Sequence, residues 1–219
     1  RVKLICLFIT ALCKIKTINY DRLASGFDVK ADNNSSYRRI QRFMKEIDFP
    51  MQIVSSLIFN LLPFKDDLVL VLDRTNWKFG SKDINILMLG VSYKDVAFPL
   101  MFKMLDKRGN SDTEERIDLI KKYIEWFGKP SINCLLADRE FVGSKWLEFL
   151  NNENIRYYIR IRNNFKIYSY QKQTEIKAFW LFNNLKVGEF YHYPKIVELH
   201  EQQCYLSGSK TIDRKGNME

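Results

Sequence analysis

The stretch "DDLVLVLDRTNW", residues 66–77, decides how this chain is read. Asp66 and Asp67 precede an apolar run, Leu68 to Leu72, which stops abruptly at Asp73-Arg74. A run this short, partly β-branched and without alternation, suits a strand covered on both faces. The carboxylate and guanidinium at its far end have two explanations. Either the chain is returning to water, or the strand delivers an acid to a functional edge, and this stretch alone does not choose between them.

"CLLADREF", residues 134–141, repeats the pattern, with Asp138 and then Arg139 closing an apolar strand. Functional groups in sheets of this kind gather at strand ends. Asp73 closing the first strand and Asp138 closing the fourth would therefore meet at one edge if the two strands are neighbours. Two ionised carboxylates at close range repel, so a raised proton affinity on one of them or a bound cation must hold them together. His192 and His200 are the only histidines, and Cys6, Cys13, Cys134 and Cys204 form no CxxC pair. That donor set disfavours structural zinc and favours a hard cation, Mg²⁺ or Mn²⁺. The scattered cysteines read as small core residues in a reducing compartment. An arginine beside each aspartate suits phosphate contact or an ion pair that secures the acid.

Other chemistries fit poorly. The chain has no GxSxG elbow and no GxxxxGKS or GxxxxGKT phosphate loop, and "SGSKT" has the wrong spacing. A phosphoaspartate enzyme wants a second acid two residues after the first, where Thr75 stands.

Outward from these motifs the pattern is that of a mixed α/β sheet. "INILMLGVSY" and "VAFPLMFKML" are further strands, and Pro99 puts the latter at an edge or on a bulge. A helix follows, with Ser111 and Glu114 as a capping box, Ile117, Ile120, Ile124 and Phe127 on one face, and Gly128 and Pro130 closing it. "SINCLLAD" is a strand, "SKWLEFLN" a short helix and "IRYYIRIR" a strand of strict alternation. Trp77, after a strand, reads more simply as core than as a base-stacking group.

Upstream, residues 1–62 read as all-helical. Leu4, Leu7, Phe8, Ala11, Leu12 and Ile15 follow helical spacing; the stretch is broken by Lys14 and Lys16, lacks a cleavage site and is too short to span a bilayer. "NYDRLASGF" is a short helix, "VKADNNSS" a polar loop, and a third helix begins at Ser36. On it Arg38, Arg42 and Lys45 form a basic stripe opposite Ile40, Phe43, Met44 and Ile47. "MQIVSSLIFNLL" is a fourth helix. Residues 1–49 hold ten Lys/Arg against five Asp/Glu, and the whole chain of 219 residues carries +9 with a pI near 9.3. A basic helical module suits DNA, and an ordinary solvated helix face explains the stripe equally well. Beyond about residue 165 the texture changes to short polar and aromatic strands.

These residues resemble a known family. "LVLVLDRTNW", "INILMLGVSYKDVAFPLMFKML" and "CLLADREFVGSKWLEFL" look like insertion-sequence transposases of the IS4 type, and "YRRIQRFMKEIDF" looks like the segment before their catalytic domain. The resemblance covers most of residues 35–165. It implies an α/β, ribonuclease-H-like mixed sheet with helices over 63–165. A small helical DNA-binding segment would precede it over 1–62, and the start of a β-rich insertion would follow over 166–219. Asp73 and Asp138 would be the first two acids of a DDE set that holds Mg²⁺ or Mn²⁺. The substrate would be double-stranded DNA, as transposon terminal repeats and target DNA. Water would be the first nucleophile and a freed 3′-hydroxyl the second. The family's third acid is a glutamate on a later helix with Tyr and Arg before it and Lys after it, and no such pattern occurs here. Glu140 sits in the wrong place and Glu219 in no helical context. The chain lacks an initiator methionine and stops in "TIDRKGNME" without a closing element, so it reads as a fragment at both ends that lacks the third acid. The resemblance further implies a homodimer on paired ends, no membrane, and a bacterial cytoplasmic, nucleoid-associated setting.

DNA contact has its own sequence signal. Alternation in "IRYYIRIR" sends Arg156, Tyr158, Arg160 and Arg162 to one face and Ile155, Tyr157, Ile159 and Ile161 to the other. No acid occurs from Asn154 to Thr174, where Lys166 and Lys172 add to the arginines. Phosphate contact accounts for such a ladder better than a solvated face does. Two other readings share the fold: a DNA-binding but catalytically silent fragment, and a nuclease without strand transfer.

Overall fold

The computed structural model describes residues 2–28, 31–48 and 50–212. Val29 and Lys30 of the expected polar loop, and Glu219 with the rest of "DRKGNME", lie outside the described residues. The chain divides into two compact units, Arg1–Val54 and Ser55–Glu219, and the division falls inside a helix.

In the first unit, helices α1 (Val2–Ile15), α2 (Tyr20–Ser25) and α3 (Asn33–Glu46) are followed by the start of α4 (Met51–Leu61). The Asn19 side chain accepts from the Asp21 and Arg22 amides and caps α2. Asp32 caps α3 by accepting from the Ser35 amide at 2.6 Å. The third helix thus starts earlier than the sequence suggested, because the polar run Asn33–Ser36 is its first turn, where backbone N–H groups need such a cap. Phe8, Ala11, Leu23, Ala24, Phe27, Ile40 and Phe43 form this unit's core. Met44 is exposed, contrary to its expected place on the packed face.

The second unit is built on a five-stranded sheet of order β3-β2-β1-β4-β5. Its strands are β1 (Leu68–Phe79), β2 (Lys82–Tyr93), β3 (Val96–Met104), β4 (Ile132–Ala137) and β5 (Tyr157–Ile159). The first three form an antiparallel meander, while β4 pairs parallel to β1 and β5 parallel to β4. Parallel neighbours need crossovers, and these are α5 (Thr113–Phe127), between β3 and β4, and α6 (Ser144–Asn152), between β4 and β5. This order with these directions is an α/β, ribonuclease-H-like mixed sheet.

Local details depart from expectation in three places. The α5 capping box is Asp112 with Glu115, one residue on from Ser111 and Glu114. Ser111 Oγ instead accepts from Arg116 Nε at 2.9 Å. The last strand is only Tyr157–Ile159, although the alternation it was read from extends beyond it. Pro99 does lie on the edge strand, beside a bulge at Leu100 where the β2–β3 register shifts. The Leu100 carbonyl accepts from the buried Ser55 hydroxyl at 2.9 Å. Gly90 faces the bulge, where a Cβ would lie 2.9 Å from the Phe98 carbonyl oxygen.

After β5 come β6 (Lys166–Ser169), β7 (Thr174–Lys177), β8 (Phe190–His192), β9 (Val197–Leu199), β10 (Gln202–Cys204) and β11 (Ser207–Ser209). They form a four-stranded sheet, β10-β9-β6-β7, and a pair, β11-β8. One apolar cluster runs from Leu68, Leu70 and Leu72 through Ile120, Trp146 and Leu150 to Ile167, Val197 and Leu199. The four-stranded sheet therefore shares the core of the large one.

Candidate active site

The register of two parallel strands builds the site. β1 pairs β4 as Leu70↔Leu135, Val71↔Leu136 and Leu72↔Ala137. Asp73 and Asp138 are the next residues on their strands, so they stand side by side at a spacing of about 5 Å between neighbouring chains. Registered residues in a sheet point to the same face, and both carboxylates are exposed. Asp73 Oδ1 accepts from the Arg74 amide at 2.7 Å. Among the described residues, no hydrogen bond or ion pair engages the Asp138 carboxylate.

One expectation needs correcting here. Asp138 follows the last residue of β4, but Asp73 does not end β1. That strand continues to Phe79, paired with β2 as a ribbon through Phe79↔Lys82. Asp73 marks where the parallel partner stops, because the antiparallel one goes on. Trp77 lies on this ribbon, 48% exposed, and is not core.

The arginines divide between tasks. Arg74 is half-buried and spent on protein partners. Its Nε and Nη2 donate to Glu140 Oε1 and Oε2 at 2.9 and 3.0 Å, Nη1 to Asn85 Oδ1 at 3.3 Å, and Nη2 also to Asn110 Oδ1 at 3.3 Å. The Glu140 bonds, more than the nearby charges, raise its proton affinity further. Glu140, on the helical turn Arg139–Phe141, is therefore an arginine partner. Beneath it the buried Arg116 donates from Nη2 to the Glu140 carbonyl at 3.2 Å and lies over the Phe141 ring. Burial lowers the proton affinity of Arg116, and the acids Glu140, Asp112 and Glu115 oppose that shift. Arg139 is exposed next to Asp138.

The arginine ladder has the expected alternation. Arg156, Tyr158, Arg160 and Arg162 are exposed, while Ile155 is buried and Tyr157, Ile159 and Ile161 are half-buried. The register Leu136↔Tyr158 and Ala137↔Ile159 puts Arg156 and Arg160, which flank β5, on the face that bears Asp138. Arg160 N–H donates to the Ala137 carbonyl at 3.0 Å, so the ladder reaches the level of the carboxylate pair. Lys166 is exposed at the start of β6 and lies 3.5 Å from Glu175. Arg38, Arg42 and Lys45 are exposed on α3, in the other unit.

The hard-oxygen pair at Asp73 and Asp138 fits a divalent cation, since both acids are solvent-accessible and adjacent. Among the described residues, no group of three or more His, Cys, Asp or Glu side chains is gathered to hold a metal. Cys6 and Cys13 are exposed, against the core reading, while Cys134 is buried. Burial pushes the Cys204 thiol up to about 11, which keeps it protonated and inert. No described helix is long and apolar enough to cross a membrane.

No family model matches the chain, and no characterised relative matches it in sequence. Several solved structures are similar to it. The piggyBac transposase synaptic complex with hairpin DNA is 15% identical with a TM-score of 0.41, over 99% of this chain and 49% of that one. The HTLV-2 integrase catalytic core domain in complex with magnesium is 15% identical with a TM-score of 0.34, over 44% of this chain and 62% of that one. The simian T-cell lymphotropic virus intasome, in complex with a PP2A regulatory subunit, is 14% identical with a TM-score of 0.36, over 45% of this chain and 34% of that one. The chain thus spans less than two thirds of each of these neighbours.

Proposed function

We propose that this chain is part of a DNA transposase of the IS4 type, acting on double-stranded DNA by metal-dependent strand cleavage and strand transfer. The observation that carries the reading is the Leu72↔Ala137 register, which makes Asp73 and Asp138 neighbours on one accessible face. These two carboxylates would hold Mg²⁺ or Mn²⁺, which supplies Lewis-acid activation of a phosphodiester when bound. The protein's own part is to keep the two acids side by side and to hold the duplex against them. Arg160 stands at the level of Asp138, with Arg156 further back along the strand and Arg162 beyond it, and phosphate contact is the role proposed for all three. Arg139 and Lys166 would extend that contact. Arg38, Arg42 and Lys45 give the helical segment 1–62 a DNA-binding face, and residues 166–219 begin the β-rich insertion. A homodimer on paired transposon ends, in a bacterial cytoplasm beside the nucleoid, belongs to the same reading.

The test uses labelled terminal-repeat DNA with Mg²⁺ and the reading frame extended past Glu219. Asp73→Asn or Asp138→Asn abolishes cleavage and leaves duplex binding within about twofold, because neither acid contributes an attractive phosphate contact. Undiminished cutting by either variant rejects the assignment. Cleaved ends without joined product would identify a nuclease of the same fold.

A DNA-binding chain that is catalytically silent is the alternative reading, and the same assay separates the two. If the frame ends at Glu219, the parent and both asparagine variants bind DNA equally and cut nothing.

A further inference from the structure

Beyond Leu72↔Ala137 no ladder hydrogen bond joins β1 to β4. Asp73 and Asp138 sit just past that last rung, where two like charges push the strand ends apart. The next link between the two chains is the Arg74–Glu140 pair. It starts one residue after Asp73 and ends two residues after Asp138, with both guanidinium-to-carboxylate bonds near 3 Å. The two side chains are only 12% and 22% exposed, so solvent competes weakly for this contact. Both ends are anchored in turn. Asn85, 2% exposed, accepts from Arg74 and donates to the Lys107 and Gly109 carbonyls at 2.9 Å. Arg116, 5% exposed, holds the Glu140 backbone through its carbonyl.

The geometry points to Arg74 and Glu140 as positioning residues, a splint that holds the strand ends at the separation a divalent cation needs between Asp73 and Asp138. This rests on the metal-pair reading of those two acids. A planar fork sets distance and angle together, which a lysine ammonium does not. Glu140 also balances the charge of Arg74, so the splint itself adds no net positive charge beside the two aspartates. Residues that orient metal ligands from behind typically affect metal affinity by about 10–100-fold.

The experiment measures Mn²⁺ binding to the folded chain by electron paramagnetic resonance, with no DNA and no turnover, well below the melting temperature. Glu140→Gln and Arg74→Lys each weaken Mn²⁺ binding by about tenfold or more. The double variant is no worse than the weaker single, because both changes break one link. Circular dichroism reports whether each variant is folded. Should Glu140→Gln fail to fold, Glu140→Asp keeps the charge, shortens the reach by one methylene and still weakens binding. A role in stability alone lowers the melting temperature of these variants and leaves Mn²⁺ affinity within twofold of the parent, and that result overturns the splint. Asp73→Asn is the control. If it binds Mn²⁺ as well as the parent, or if the parent binds none, the carboxylate-pair reading itself falls and the splint falls with it.

Discussion

Asn85 is buried on β2 and uses both amide hydrogens on the Lys107 and Gly109 carbonyls, while its oxygen accepts from Arg74. Replacing it with leucine removes three part-buried hydrogen bonds, each worth about 0.5–1.5 kcal/mol. The Asn85→Leu variant therefore unfolds at lower urea, with a loss of at least about 2 kcal/mol in the fitted stability. Asp73 and Asp138 were legible in the sequence because each interrupts an apolar run, and the register needed only the strands to be neighbours. Glu140 was not legible. Its partner stands 66 residues away, and no local pattern connects Arg74 to it. Trp77 was misread because nothing in "RTNWKF" says that the strand outlasts its parallel neighbour. Cys6 and Cys13 followed a compositional rule that the exposed side of α1 does not obey.

At the scale of elements, α5 gives a pH prediction. The Asp112 carboxyl is held below its ordinary range first by the Lys107 hydrogen bond and then by the Glu115 amide. A depressed folded-state value contributes stability above the unfolded value of about 3.9 and loses it as pH falls through the folded one. Asp112→Asn still caps the helix but has no charge to titrate. Its melting temperature falls less steeply than the parent's below about pH 4, as calorimetry at successive pH values will show. The box itself was misplaced by one residue, since two S/D-x-x-E patterns overlap in "SDTEE" and only the backbone chooses between them. For β5 the opposite held. Alternation gave the exposed face correctly even though the strand is three residues long, because period two reports side-chain direction rather than ladder length. Replacing both Arg156 and Arg162 with glutamine lowers the slope of log affinity against log salt by about two for duplex DNA. A filter-binding salt titration measures it, and an unchanged slope removes both arginines from the interface.

For the second unit as a whole, one apolar cluster crosses from the large sheet to the four-stranded one, so the two melt together. Ile167, 1% exposed on β6, is a fair probe of that cohesion. Ile167→Ala costs about 2–5 kcal/mol, and the loss appears in the global transition instead of an early local one. Two separate transitions by tryptophan fluorescence and circular dichroism contradict it. The order of strands and helices in this unit was readable from periodicity, whereas the sharing of its core with the later strands was not, since packing between sheets leaves no period in the chain.

The kink at Pro99 and Leu100 has a consequence for the protein's behaviour in concentrated solution. A sheet margin is an open row of donors and acceptors that invites another copy to zip on and begin a fibril. Proline offers no donor there, and the extra residue breaks the repeat that an incoming strand would have to match. Straightening that margin, by Pro99→Val with Leu100 deleted, should make the chain scatter light on standing and bind thioflavin more than the parent does.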